Sequence, residues 1–356
     1  MLFLGVVSLL PWGIQYGMRN GASALDPRLL TQVRGCDLAP VQWIRGTRLE
    51  CYGTELRQAF AAGAPIAVLH DLHKVQLGST KFAGSCHLLL HPFGRRYSRK
   101  ASMSRVLTIA NDDPCAGGFL HGMIEERFAA DEVVPQSTID AQCKAQTLSA
   151  LNTCEHTIGH VLMRNTHNNL PIALSRCEDA GDASFARRCA AGAFMENKLA
   201  GERRDEATTT RYFDKDDPLL PCGGVTGPLL VTCHAWAAFE VDDGERLEFC
   251  SSLPAATNRS CMIVVGVRTR LRGKPVCVDE AACWFGVGFS VEQRCLVLKD
   301  ADNRAACYRG AGYFRGLDAR IASKLSSTQL CRDLPRVDAT PCADGAGRRG
   351  EAMDFM

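Results

Sequence analysis

The chain has 356 residues, of which 46% are hydrophobic and 22% charged, with a formal net charge of +2. That length accommodates two to three domains, the composition excludes a disordered chain, and the near-neutral balance gives no electrostatic case for nucleic acid or an anionic membrane. The 18 cysteines exclude an ordinary reducing cytosol unless they hold metal, and the repeated C-x2-C knuckles of zinc ribbons are missing.

The chain opens on the apolar stretch MLFLGVVSLLPWG, and Ala22-Ser23-Ala24 offers a small-x-small cleavage site before Leu25. Residues 1–24 therefore read as a signal peptide, and the protein as exported to a periplasmic or extracellular space. No Lys or Arg precedes the apolar run, and Pro11 and Gly13 interrupt it, so an uncleaved N-terminal anchor is the other reading. No later stretch reaches the ~20 apolar residues that span a bilayer. Any membrane attachment is expected through the N-terminus only.

Beyond it the cysteines fall in local pairs. These are Cys36/Cys51, Cys143/Cys154, Cys177/Cys189, Cys222/Cys233, Cys250/Cys261, Cys295/Cys307 and Cys331/Cys342, with Cys277/Cys283 a shortened version and Cys86/Cys115 a distant pair. The second cysteine opens a recurring phrase: CAGGFLHGMIEE, CEHTIGHVL, CAAGAFMEN, CHAWAAFEV, CWFGVGFSVE and CYRGAGYFRG. Recurrence of this kind marks stacked supersecondary units. Stretches between paired cysteines, such as EDAGDASFARR, are loop-like, whereas flanking stretches such as NLPIALSRC carry helical apolar spacing.

The expected unit is helix, cysteine, short loop, cysteine, helix, with a disulfide across the loop and recurring glycines that let helices approach closely. CMIVVGVRTRL has the β-branched composition of a strand, but its place in the repeat assigns it to a helix. The fold expectation is all-α: an array of disulfide-linked helical hairpins, solenoid-like and comparable in architecture only to TPR and Sel1 arrays. Its expected regions are residues 25–110, a His/Glu-rich centre at 111–200 and C-terminal repeats at 201–356.

Three pairs of potential ligands stand four residues apart: His87 and His91, His121 and Glu125, His156 and His160. Four helical residues span about 6 Å and about 40° of rotation, so each pair shares a face and reaches one cation. His121 and His160 both lie six residues after a cysteine, and Glu196 and Glu240 seven after theirs, which predicts projection into a common groove. In later repeats these positions become Phe289, Ser290, Tyr313 and Phe314. His91 precedes Pro92, and a residue before proline is biased away from helix, which weakens the first pair. His70 and His73 read as surface or packing residues, His167 as loop, and His234 as a weak extension of the groove. A buried His/Glu hydrogen-bond network that specifies packing is the structural alternative.

The order CHxxxHxxGR, CxxGFxHGxxE, CxHxxGH, CxxGxFMEN, over roughly Cys86 to Asn197, resembles a family of uncharacterised, exported, cysteine-rich bacterial proteins. The resemblance implies export and helical repeats but no activity. Thr157 stands where a glycine often follows the histidine of the third motif, and Pro92 interrupts the first.

Mixed His/Glu ligation suits zinc, and also iron or manganese. The leading expectation is a metal-dependent, zinc-type hydrolase with ligands His87, His91, His121, Glu125, His156 and His160 and a general base among Glu126, Glu155 and Glu196. Helix-borne His/Glu pairs also serve di-iron oxidases or oxygenases. A non-enzymatic repeat protein that binds a partner is the remaining alternative, with Trp284, Phe285, Phe289, Tyr308, Tyr313 and Phe314 as aromatic surface or, more plainly, as core. G-x-S-x-G, H-E-x-x-H and Gly-rich phosphate loops are not present.

Overall fold

The computed structural model describes residues 27–38, 47–83, 85–99, 115–128, 143, 148–179, 182–202, 209–242, 244–268, 277, 280–290, 292–317 and 326–347. The expected signal peptide or anchor lies outside the described residues. Among those described, every regular element is helical, and no helix is long and apolar enough to cross a membrane. The chain divides into two compact units, Met1–Arg127 and Phe128–Met356.

The first unit contains α1 (Pro27–Asp37), α2 (Thr47–Ala62), α3 (Pro65–Gly78), α4 (Thr80–Ala83), α5 (Cys86–Ser98) and, after a 3-10 turn at Cys115–Gly117, α6 (Gly118–Arg127). α5 and α6 pack along their lengths. Pro92 lies inside α5 without ending it, so His91 keeps helical register with His87 despite the proline that follows.

The second unit contains α7 (Leu148–Asn165), α8 (Leu170–Glu178), α9 (Ala183–Glu202), α10 (Pro228–Glu240), α11 (Arg246–Ser252), α12 (Ala255–Arg268), α13 (Ala281–Ser290), α14 (Ala301–Leu317), α15 (Ser327–Leu330) and α16 (Arg336–Gly347). Packing is consecutive: α7 on α9, α9 on α10, α10 on α12, and so on to α14 on α16. The β-branched CMIVVGVR segment is buried within α12, as its place in the repeat implied.

Local chemistry sets the boundaries. After α7 the chain turns through His167 and Asn168, both at left-handed φ, and Asn169 then caps α8 by accepting the Ile172 N–H, with Pro171 in the first turn. A short polar side chain competes well for backbone partners at such a turn. α10 starts differently, from Gly227 at φ +59° followed by Pro228, whose missing N–H costs nothing in a first turn.

All 18 cysteines are paired, and the nine disulfides join the local partners that the spacing indicates, including the wide Cys86–Cys115 link. Cys177–Cys189 shows the pattern, tying the end of α8 to α9 across the intervening loop. Nine disulfides belong to an oxidising environment. Trp284, Phe285, Tyr308 and Tyr313 are buried and fill the core between helices, while Phe289 and Phe314 are half-buried.

Candidate metal centres

Each unit carries one group of the expected residues. His87, His91, His121 and Glu125 belong to the first, and His156, His160 and Glu196 to the second.

In the first, close backbone approach positions the side chains. A Cβ on Gly94 would overlap the Phe119 carbonyl, and Cβ atoms on Gly118 and Gly122 would overlap the carbonyls of His87 and His91. Glycine at these three sites lets α5 and α6 lie nearly backbone to backbone, so imidazoles from both helices meet. His87, His91 and His121 each offer a ring nitrogen, and these atoms lie within 4.8 Å of one another. The ring centroids are 4.7 Å apart for His87 and His121, 5.0 Å for His87 and His91, and 5.5 Å for His91 and His121.

A neighbouring carbonyl fixes how the His87 ring is protonated. His87 Nδ1 lies 3.0 Å from the Cys115 carbonyl oxygen. A carbonyl only accepts, so Nδ1 carries the hydrogen and Nε2 of the neutral ring presents a lone pair. Cys115 is itself held by its disulfide to Cys86, by a left-handed φ of 63°, and by donation of its N–H to Gln76 Oε1 at 3.0 Å. His91 Nδ1 stands 3.3 Å from Glu125 Oε1, while Arg95 donates twice to Glu125 Oε2, at 2.7 and 3.0 Å. With the hydrogen of His91 on Nδ1, beside this carboxylate, its Nε2 presents a lone pair as well. The two Nε2 atoms then face each other at 3.3 Å, lone pair against lone pair. Such a pair needs a proton or a metal cation between its members. With ligand bonds of ~2.0–2.1 Å, two nitrogens on one tetrahedral ion are about 3.3 Å apart.

In the second group α7 and α9 cross through Gly159 and Gly192, where Cβ atoms would overlap the carbonyls of Cys189 and His156. His160 Nδ1 lies 2.9 Å from Glu196 Oε2, and His160 Nε2 lies 3.1 Å from His156 Nε2. Arg164 donates to both oxygens of Glu196, at 3.3 and 3.5 Å. His160 and Glu196 are buried, with side chains only 2% and 0% exposed.

The three carboxylates considered as bases are all engaged. Glu126 pairs with exposed Arg99 at 2.6 Å, Glu155 forms a buried pair with Arg188, and Glu196 holds His160 and Arg164. Glu240 pairs with Lys198 at 2.6 Å. His234 bonds Thr257 Oγ1 at 2.8 Å, and burial pushes its pKa below the usual imidazole value, which fits a neutral packing residue. His70 is partly exposed beside Asp71. Cys36, Cys51 and Glu55 also cluster, but a disulfide has no thiolate to offer a metal.

The arginines escape a reading that looks only for ligands. Their signal is present nonetheless, because H-x3-H-x3-R occurs twice, as His87-His91-Arg95 and His156-His160-Arg164. Comparison with protein-family models, with curated proteins and with solved structures found no match to this chain.

Proposed function

We propose that this is an exported protein that binds a divalent transition metal, zinc by ligand type, through His87, His91 and His121. The observation that carries the proposal is the facing pair of Nε2 atoms at 3.3 Å, on His87, whose Nδ1 is committed to the Cys115 carbonyl, and on His91, whose Nδ1 stands 3.3 Å from Glu125, with His121 completing the group. Metal-binding histidines characteristically donate their other N–H to a carbonyl or carboxylate, which sets the tautomer and strengthens the ligand. Glu125, expected as a ligand, fits better as the carboxylate that orients His91, since Arg95 already holds it. Imidazole ligation suits zinc, with iron and manganese less favoured because their usual oxygen ligands are engaged by arginines. Export rests on the disulfides together with the apolar N-terminus.

A hydrolytic role is the finer reading. Three protein ligands leave a fourth tetrahedral position open, the ligand count of catalytic rather than closed structural zinc sites. His87 is partly exposed. The di-iron reading has less support, because Glu125 and Glu196 are each engaged by an arginine.

Elemental analysis of tag-free protein after dialysis against zinc tests the metal proposal. His87→Ala and His121→Ala are expected to lose one equivalent each, and His70→Ala none. Retention of full metal in both centre variants, or absence of metal from the parent protein, removes the basis of the reading.

A further inference from the structure

The second unit repeats the design of the first with one ligand fewer. His160 has Nδ1 on a buried carboxylate, and that carboxylate is held by an arginine one turn along the same helix as the histidines. The Nε2 atom of His160 is therefore the lone-pair end, and it faces His156 Nε2 at 3.1 Å. Two ligand nitrogens on one ion are about 2.9 Å apart at 90° and about 3.3 Å apart at the tetrahedral angle, for bonds of ~2.0–2.1 Å. The observed separation lies between these limits. Carboxylate–histidine pairing of this kind is the usual outer support of a metal-ligating imidazole.

We propose that His156 and His160 form a second metal site, a two-imidazole seat for zinc, copper(II) or nickel(II), with the remaining positions filled by water. Imidazole is a good ligand for all three ions. The His156 ring stands 6.3 Å from that of Trp236, and Trp236 also borders a cleft lined by Phe194, Lys198 and Glu240, the side from which the proposal brings the ion. Two imidazoles hold an ion less tightly than three, so this site fills after the His87/His91/His121 centre. The proposal does not depend on that centre, because its geometry lies wholly within the second unit. The competing occupant is a proton: His156 in its Nε2–H form donates to His160 and needs no ion.

Equilibrium dialysis of the metal-free full-length chain, disulfides intact, against excess zinc distinguishes the two. Two zinc ions per chain are expected, falling to one in His160→Gln, to one in His121→Ala, and to none in the double variant. One ion in the parent protein, retained in His160→Gln, overturns this inference and leaves the first centre standing. Two ions in His121→Ala but one in His160→Gln does the reverse. If His160→Gln does not fold, copper(II) bound to His121→Ala decides by electron paramagnetic resonance. Coupling to two imidazole nitrogens supports the site, and a spectrum with oxygen ligands only overturns it.

Discussion

The two histidine centres use the same parts with a different residue on the neighbouring helix. In the first unit Gly118 meets the carbonyl of His87, the first histidine of its pair, and Gly122 meets that of His91; in the second unit Gly192 meets that of His156, again the first of its pair. Three residues beyond Gly118 stands His121, and three residues beyond Gly192 stands Met195, which has no imidazole. The comparison teaches that a helix pair with H-x3-H-x3-R on one member builds an oriented imidazole pair by itself. Which residue the neighbouring helix carries three positions past that first contact then decides whether a third ligand joins.

The largest effects should come from the crossing glycines. Gly122→Val forces side-chain atoms into the His91 carbonyl and separates α5 from α6, a cost at or above the ~1–3 kcal/mol of ordinary overpacking. It should abolish metal binding at the three-histidine centre and leave the second unit's centre intact. Gly192→Val should do the opposite. Metal stoichiometry with thermal melting checks both, and loss of both centres from either change would break the claim that each centre is built within its own unit.

Next in size are the disulfides. Cys86→Ser with Cys115→Ser opens a 29-residue separation, a loss of about 3–4 kcal/mol by the chain-entropy model. It also releases the carbonyl that orients His87. Removing Cys331–Cys342 should destabilise by a similar order without touching the metal. Denaturant unfolding and zinc affinity, measured together on the two variants, separate the orienting role from the stabilising one.

Smaller again are the carboxylates that orient the rings. Glu125→Gln and Arg95→Ala should weaken zinc binding about 10–100-fold, the usual range for outer-shell partners, and Glu196→Gln should weaken only the second site. Competition with a zinc indicator dye reads both. Equal weakening at both sites from one change would contradict the assignment.

His234 supplies the smallest effect and a control outside both centres. Burial holds its folded-state pKa below the unfolded value, so the unfolded chain binds more protons as pH falls. Its contribution is fully present above about pH 6.5 and is lost as pH drops through the depressed folded value. His234→Gln should flatten that part of the stability profile in denaturant melts from pH 7.5 to 5 without altering metal content.

Much of the fold was legible because its signals are local. Cysteines spaced 11 or 12 residues apart imply loop-closing disulfides, and glycines in the following phrase imply close helix contact; both hold at Cys177/Cys189 and at Gly192. The two i, i+4 histidine pairs were legible for the same reason, since one helix carries each. Counting from cysteines did not give the register between helices. Cys115 precedes α6 in a 3-10 turn, whereas Cys154 and Cys189 lie inside α7 and α9. His121 and His160, both six residues past a cysteine, therefore stand in different places: His121 follows a 3-10 turn at the start of α6, and His160 lies well inside α7. The arginine partners went unread because their role depends on a carboxylate about 30 residues away, a contact that only packing reveals.

Diffraction from zinc-loaded crystals at energies on either side of the zinc absorption edge tests the central claim most directly. The account predicts an anomalous peak enclosed by His87 Nε2, His91 Nε2 and a His121 ring nitrogen, at ligand distances of ~2.0–2.1 Å. Zinc-loaded crystals with no peak among these rings, and the two Nε2 atoms still 3.3 Å apart, would contradict it and identify the group as a proton-sharing packing network.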